Sequence, residues 1–523
     1  MRLPIVPFVI AATLLTTVWY FFNATRSEHR TLDVPRLRRL VDIDGIESEV
    51  AATPDGDRLA VIVSGNLWVL NLLNGTRRQI TRSATEAEAF PNWTPDGKQI
   101  TFTRGADTYA IDPDTGAEGL FRSNATWLSW SQTNRTVFVR DRALWIANPN
   151  DQDEKKLVEP DLASDVNIRA PRFSPDSLQI AFIKSQLGIR GEVWIVDTSN
   201  GMSKPVVMDR MVENPLDVGW INNGQDLAYL TNRAGAYSVW YVDFASSTIN
   251  PLTQPLMTVP LARVGMAVAK DRIVLPRHFA DSNIVLSDGT TIANSEKLEF
   301  QPAASPDGKL FAYTIADDNK FEIWTAGING ESPTFRTLGK EPRFSANGFQ
   351  IVYSHADLIG NDDIWKLDIR NGSAERVTDA EEIDVAPDWS PDGQSIAFSS
   401  ARGGAISIWT IPASGGKRLR LNDGGYAPRY SPDSNSILFW NKQGLWTMDS
   451  HGTNARKVAT DVLEPIAGVW NQSKRGAAFF VKPPGDRFVW PEFDVLRDGR
   501  FVFAPIDIRE TSLWSVDLTY KEK

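Results

Sequence analysis

Pro387-Asp388-Trp389-Ser390-Pro391-Asp392-Gly393 is the stretch on which the fold turns. Pro at the second position of a tight turn presets φ, and Asp-Gly supplies the positive-φ geometry that a hairpin needs. The run after it, Ile396-Ala-Phe398, clusters apolar residues as a strand does. The same phrase stands at Thr53-Pro54-Asp55-Gly56, Trp93-Thr94-Pro95-Asp96-Gly97, Phe173-Ser174-Pro175-Asp176-Ser177, Ser305-Pro306-Asp307-Gly308 and Tyr430-Ser431-Pro432-Asp433-Ser434. Degenerate copies sit near Trp130, Trp220, Phe344 and Trp470, and weaker ones near Val264 and Asp498.

A second phrase follows each turn: an aliphatic residue, usually Trp, two residues and often Asp. Leu67-Trp68, Leu144-Trp145, Val193-Trp194, Val239-Trp240, Ile323-Trp324, Ile364-Trp365, Ile408-Trp409, Leu445-Trp446 and Leu513-Trp514 are the examples. Asn-Gly turns such as Asn371-Gly372 come next, before another short run. The unit is four short strands joined by tight turns, and it recurs about every 40 residues. Of the 18 Trp, nine occupy its third strand, and Trp93, Trp130, Trp220, Trp389 and Trp470 precede its first turn. Large aromatics at fixed positions are what packing one twisted four-stranded sheet on the next requires.

Pro91-Asn92-Trp93-Thr94-Pro95-Asp96-Gly97, Pro171-Arg172-Phe173-Ser174-Pro175-Asp176 and the opening stretch resemble the repeats of TolB-type β-propellers (the WD40-like Pro-Asp repeat), over roughly residues 45–523. TolB proper carries an α/β domain before its propeller, so the likeness is to the propeller part. Turn positions near 54, 95, 132, 175, 222, 267, 306, 346, 391, 432, 472 and 498 make twelve units. Propellers have about four to eight blades, and the family's have six. The expected fold is therefore all-β: two consecutive six-bladed propellers after an N-terminal transmembrane helix. The expected division is an anchor or signal segment at 1–25, a linker at 26–44, a first propeller at 45–300 and a second at 301–523, with 5+7 and 7+5 splits open. The segment from Arg38 to Ile46 is a candidate to close a ring with its C-terminal blade.

The remaining composition excludes several chemistries. Among 523 residues there is no Cys, so disulfides, thiolate metal sites and a Cys nucleophile are out. Four His make a multi-His metal site a poor expectation. A net charge of −10 removes the default case for a nucleic-acid partner. No nucleophile elbow, zinc-binding His-Glu-x-x-His or phosphate-binding Gly-rich loop occurs. No cofactor is expected, and a bound Ca2+ in a channel has no sequence support, because Asp42-Ile-Asp44-Gly45 and Asp112-Pro-Asp114-Thr-Gly116 lack the rest of a calcium loop.

Arg2 precedes an uncharged run, Leu3 to Phe22, that ends Trp19-Tyr20-Phe21-Phe22. Its length suits a bilayer-crossing helix and its aromatics an interfacial belt. Large aromatics stand where a small-residue cleavage site would fall, which favours an anchor over a cleaved signal. The expected location is membrane-anchored with the propellers periplasmic or otherwise extracytoplasmic. Arg26, Arg30, Arg36, Arg38 and Arg39 leave the cytoplasmic side as the alternative.

The expected function is a protein-binding or scaffolding subunit of an envelope complex, not an enzyme, with other envelope or membrane proteins as partners. The alternatives are a propeller hydrolase or lyase on peptide or polysaccharide, or a ligand-sensing ectodomain. In a propeller the Pro-Asp-Gly turns share one face, and the longer loops between second and third strands share the opposite one. Function is expected on that longer-loop face, with Arg190, Arg233, His278, His355 and Arg402 as contact groups. Asn92, Arg172, Arg343, Asp388 and Arg429 share the position after Pro on the innermost strand. They are expected to line the channels and to favour an anionic or carboxylate-bearing guest.

Overall fold

The computed structural model describes residues 31–521 apart from a series of stretches, the longest being 207–213, 257–263, 459–466 and 481–487. The expected membrane segment 3–22 lies outside the described residues, among which no helix is long and apolar enough to cross a membrane. One 3-10 turn, Asn222–Gly224, is the only helical element described; everything else regular is strand.

The repeat phrase builds what its chemistry dictates. At Ser390-Pro391-Asp392-Gly393 the Gly393 N–H donates to the Ser390 carbonyl at 2.8 Å, with Gly393 at φ +72°. The Ser390 hydroxyl donates to Asp392 Oδ1 at 2.6 Å and accepts from Ser395 N at 2.9 Å. That hydroxyl and the Gln394 N–H hold the Asp392 carboxyl below its usual range. Asp96, Asp176, Asp307 and Asp433 repeat the arrangement, each led by the Ser or Thr two residues earlier. These Asp are turn formers.

Each turn joins the first two strands of an antiparallel four-stranded sheet, as in Glu47–Ala52, Arg58–Val63, Asn66–Asn71 and Arg77–Gln79. Cores lie between successive sheets. Ala51, Ile62 and Leu67 of one sheet pack on Trp93, Ile100 and Phe102 of the next. Trp93, Trp220 and Trp389 are buried, while third-strand Trp such as Trp68 and Trp409 lean half-buried on the same cores. These Trp are packing residues.

Among the described residues the innermost strands form two closed cycles of six. The first runs through Glu47–Ala52, Glu88–Trp93, Thr126–Trp130, Val166–Phe173, Asp217–Ile221 and Ala267–Ala269, and the last stands beside the first. The second runs through Leu298–Ala304, Lys340–Phe344, Asp384–Trp389, Tyr426–Tyr430, Ala467–Asn471 and Asp494–Val495, and closes likewise.

The cycles are not consecutive in the chain. Pro505–Asp517 lies antiparallel to Arg272–Ser282, with Trp514 opposite Leu275 and Ile506 opposite Ser282. Arg36–Val41 pairs with its other edge, Arg39 opposite Trp514. The first cycle's sixth set of strands thus reads Ala267–Ala269, Arg272–Ser282, Pro505–Asp517, Arg36–Val41, within a nine-stranded sheet that runs on through the pairing of Ser282 with Leu298. Val274 and Leu513 of that sheet pack with Val50 and Val61 of the first one. The second cycle closes by the same device: Asp494–Val495 and Phe501–Phe503 are continued outward by Ile284–Leu286 and Thr291–Ala293. A division at residue 300 cuts across these sheets, because each closing sheet draws its inner and outer pairs from distant parts of the chain. The ring closure expected near Arg38 is there, with the strand 505–517 as partner.

Candidate functional site

The innermost strands carry a repeated irregularity that shapes both centres. Three residues before the aromatic, or before Ala304 in the one copy without it, Phe90, Trp127, Ala170, Gln301, Glu341, Ala386 and Ala427 take φ of +51° to +59°. The pairing register slips at each of these positions, as in a bulge. Several of the N–H groups turned out there are caught by a side chain of the preceding sheet. Phe90 N donates to Glu49 Oε2 at 2.7 Å, Glu341 N to Gln301 Oε1 at 2.9 Å and Ala386 N to Glu341 Oε2 at 2.7 Å. Glu341 also accepts from Ser354 Oγ at 2.6 Å and Tyr426 Oη at 3.2 Å, tying three further strands to its own. Hydrogen bonds to a carboxylate are worth about 1.5–3 kcal/mol each, and here they link sheets around an axis without a covalent staple.

The first cycle surrounds a cavity of about 230 Å³ to which all six innermost strands contribute. Val50, Ala52, Val218, Gly219, Met266 and Val268 make one half of its wall apolar. Asn92, Ser129 and Arg172 face the other half. Ser131, Gln132, Ser174 and Pro175 place the cavity at the Pro-Asp turn end, opposite the face expected from loop lengths. Short turns leave that end of the axis uncovered, which loop length alone does not register.

Arg172 is held by Asp217. Its Nη2 donates to Asp217 Oδ2 at 3.2 Å and its Nη1 to the Pro171 carbonyl at 3.2 Å. Asp217 is almost fully buried, and burial pushes its carboxyl up against the opposing pull of Arg172. It also accepts from Met266 N and Val218 N, both at 2.8 Å, so both oxygens are engaged. Asn92 Nδ2 and Oδ1 and the Ser129 hydroxyl have no hydrogen-bond partner among the described residues, although Ser129 is only 4% exposed.

The second cycle's centre is occupied differently. Burial pushes the Asp388 carboxyl up to about 6, against the pull of Arg429 and Arg343 and with Asp494 adding to the rise. Asp388 accepts from Tyr430 N at 2.7 Å, and Asp494 from Ala304 N at 2.9 Å. Arg343 Nη1 donates to the Pro302 and Pro342 carbonyls at 3.1 and 3.2 Å, and Arg429 Nη1 to the Pro428 carbonyl at 2.8 Å. The five axial candidates thus divide: Asn92 and Arg172 stand at one centre, Arg343, Asp388 and Arg429 at the other.

The loop-face candidates do not converge. Arg233 is buried over the Trp240 ring at 5.5 Å. Arg402 Nη2 donates to buried Asp384 Oδ2 at 2.7 Å and lies over Trp409. His355 meets the Trp365 ring edge-on at 5.7 Å. The carboxylates near it in sequence are engaged elsewhere, Asp362 by Lys340 at 2.8 Å and Asp363 by Arg376 and Thr378. The side chains of Arg190 and His278 lie outside the described residues. Among the described residues no group of three or more His, Asp or Glu is placed to hold a metal ion.

Sequence reasoning missed Ser129, Asp217, Glu341 and Asp494. For two of them a signal exists: Asp217 and Glu341 fall three residues before Trp220 and Phe344, where other copies carry Ala170, Ala386 or Ala427. An acid in place of Ala at a repeat position beside an axis marks an inter-sheet bond.

Residues 282–465 match the TolB beta propeller domain. An uncharacterized protein of Agrobacterium fabrum is 32% identical over 145 residues, covering 26% of this chain and 48% of that one. The Tol-Pal system protein TolB of Anaeromyxobacter sp. (strain K) is 31% identical over 115 residues, 20% of this chain and 26% of that one. The chain thus spans less than half the length of these curated relatives. The solved structure of a putative TolB from Agrobacterium tumefaciens is 19% identical, covers 61% of this chain and 98% of that one, and has a TM-score of 0.29. The Pro-Asp repeat, the four-stranded sheets and the match over 282–465 agree in making this chain similar to TolB-like β-propellers.

Proposed function

We propose that this chain is a protein-binding subunit of an envelope assembly, held at the membrane through residues 3–22 with its sheets on the extracytoplasmic side. In this reading the two cycles are two six-bladed propellers. The first comprises 36–282 with 505–517, and the second, 284–503, is inserted within its last blade. The observation that carries the reading is the cavity at the first centre: unpartnered polar side chains on one half of its wall, facing an apolar half, suit recognition, and no nucleophile and base stand together there. The likeness to a Tol-Pal system protein supports a protein partner in general. The reading needs no cofactor and no catalytic residue.

Crosslinking in intact cells, followed by purification of the full chain from membranes, tests it. The expected result is a specific envelope protein recovered with the chain, and protease access to the propellers only after the outer barrier is opened. Recovery of the chain alone under several crosslinkers would overturn it.

A further inference from the structure

We infer that the cavity of the first cycle is a binding site for a carboxylate carried on a short, branched apolar chain, such as the C-terminal end of a partner polypeptide. This rests on the protein-binding reading for the source of the ligand, but its chemistry stands on the cavity alone. Arg172 is the one charged side chain among the lining residues. Asp217, which anchors it, lies behind the wall with both oxygens engaged by N–H donors. The guanidinium uses one N–H toward Asp217 and one toward Pro171, and its remaining N–H groups have no partner among the described residues. Ser129, on the adjacent innermost strand, and Asn92, on the one beyond it, add a hydroxyl and an amide that are likewise unpartnered. Ser129 is 96% buried by its own fold, and its unpartnered hydroxyl faces this space, where it is placed to bond a guest.

The opposite wall dictates the rest of the guest. Ala52, Val218, Gly219 and Val268 present small apolar surfaces and offer no side-chain hydrogen bond. Gly219 is closely backed: a Cβ there would stand 2.5 Å from Val268 Cγ2. At about 230 Å³ the space is smaller than the pockets of about 300 Å³ and more that enclose drug-sized ligands. It fits the terminal residue of a chain, with the carboxylate toward Arg172, Asn92 and Ser129 and a Val-sized side chain toward Ala52 and Val268. An ammonium group would meet the guanidinium and is disfavoured.

Calorimetric titration of the full chain in detergent tests the site with three probes: acetyl-Ala-Val acid, its C-terminal amide, and isobutyrate. The acid is expected to bind, and the amide to bind about tenfold more weakly, as loss of a charge-assisted hydrogen bond implies. Isobutyrate binding as well as the peptide acid would support the carboxylate site and identify a free short-chain acid as its source. Arg172→Gln is expected to abolish binding. Because that variant strands a buried carboxylate, Asn92→Leu, which breaks no hydrogen bond to its side chain, is the second variant and is expected to weaken the acid by about fivefold or more. Equal affinity for acid and amide, no binding of any probe at about 10 mM, or an unchanged acid affinity in Asn92→Leu would each overturn the proposal. Failure here leaves co-purification of an envelope protein unaffected, and a chain recovered alone that still binds the acid overturns only the envelope reading.

Discussion

The two centres are built on one repeat and end in opposite states. In the first cycle the innermost strands bring Val50, Val218, Gly219 and Met266 to the axis, and a cavity remains with a single cation on its wall. In the second the equivalent strands bring Arg343, Asp388, Arg429 and Asp494, and charges of both signs face one another. Both arrangements share inter-sheet bonds one bulge away from the axis, at Glu49, Asp217, Gln301 and Glu341, and the second adds bonds at the axis itself, from Tyr430 N to Asp388 and from Ala304 N to Asp494. The bulge-level bonds hold the inner strands in both cycles, while the axial side chains differ from one centre to the other.

The largest break in this comparison comes from shortening the chain before residue 505. Leu513 and Val516 are fully buried, and the strand 505–517 joins Arg272–Ser282 to Arg36–Val41. Without it the first cycle loses two ladders and a core wall, an effect comparable to a whole domain's stability of about 5–15 kcal/mol. Limited proteolysis should then digest residues 36–282 while a fragment near 284–503 survives. Equal survival of both would show that the first cycle closes without its shared strand.

A smaller effect separates the two kinds of charge. Arg172→Leu leaves Asp217 buried beside apolar residues and is expected to destabilise the first cycle by about 3 kcal/mol. Denaturant titration, followed with the survival of each fragment, assigns the loss to one cycle. A loss shared by both would mean that the cycles unfold as one unit.

The smallest effect concerns the second centre and has a sign. Asp388 binds its proton more tightly folded, at about 6, than unfolded, near 3.8. Its contribution is therefore favourable at about pH 4 and is lost as pH rises through about 6. Asp388→Asn should flatten that slope and raise stability at neutral pH. Melting temperatures measured across this range test it. An unchanged slope would assign the titration to buried Asp384, also pushed up to about 6 by burial.

Much of this was legible in the residues. Ser390-Pro391-Asp392-Gly393 and its copies specify the turns outright, because their side chains close the turns they occupy. Of the two weakest copies, the one near Asp498 falls between the paired strands 494–495 and 501–503, whereas the one near Val264 falls just before the first strand, 267–269, and the turn position expected at 267 lies within it. What a period cannot specify is partner choice. Leu513-Trp514 reads as the third strand of the nearest hairpin, at 494–503, yet it serves the hairpin at 267–282. Ile284–Leu286 in turn serves the hairpin at 494–503. Local pattern fixes what a strand is, and only packing decides which sheet it completes. The cavity was hidden for a related reason. Ser129 and Gly219 are unremarkable as letters, and gain meaning only when six strands place them around one space.

The exchange of outer strands also has a consequence for synthesis. A chain made from its first residue onward lays down the first cycle's inner hairpin by residue 282, but the strand that completes that sheet begins at 505. At about 5–20 residues per second the intervening stretch takes roughly 10–40 s to emerge. Throughout that interval one long edge of Arg272–Ser282 has no partner, and such an edge invites pairing with other chains. The second cycle can fold meanwhile, and in doing so brings residues 282 and 506 side by side. Its maturation is then the step that delivers the final strand to the waiting edge, so a product cut short is recognisable to proteolysis by an unsealed ring.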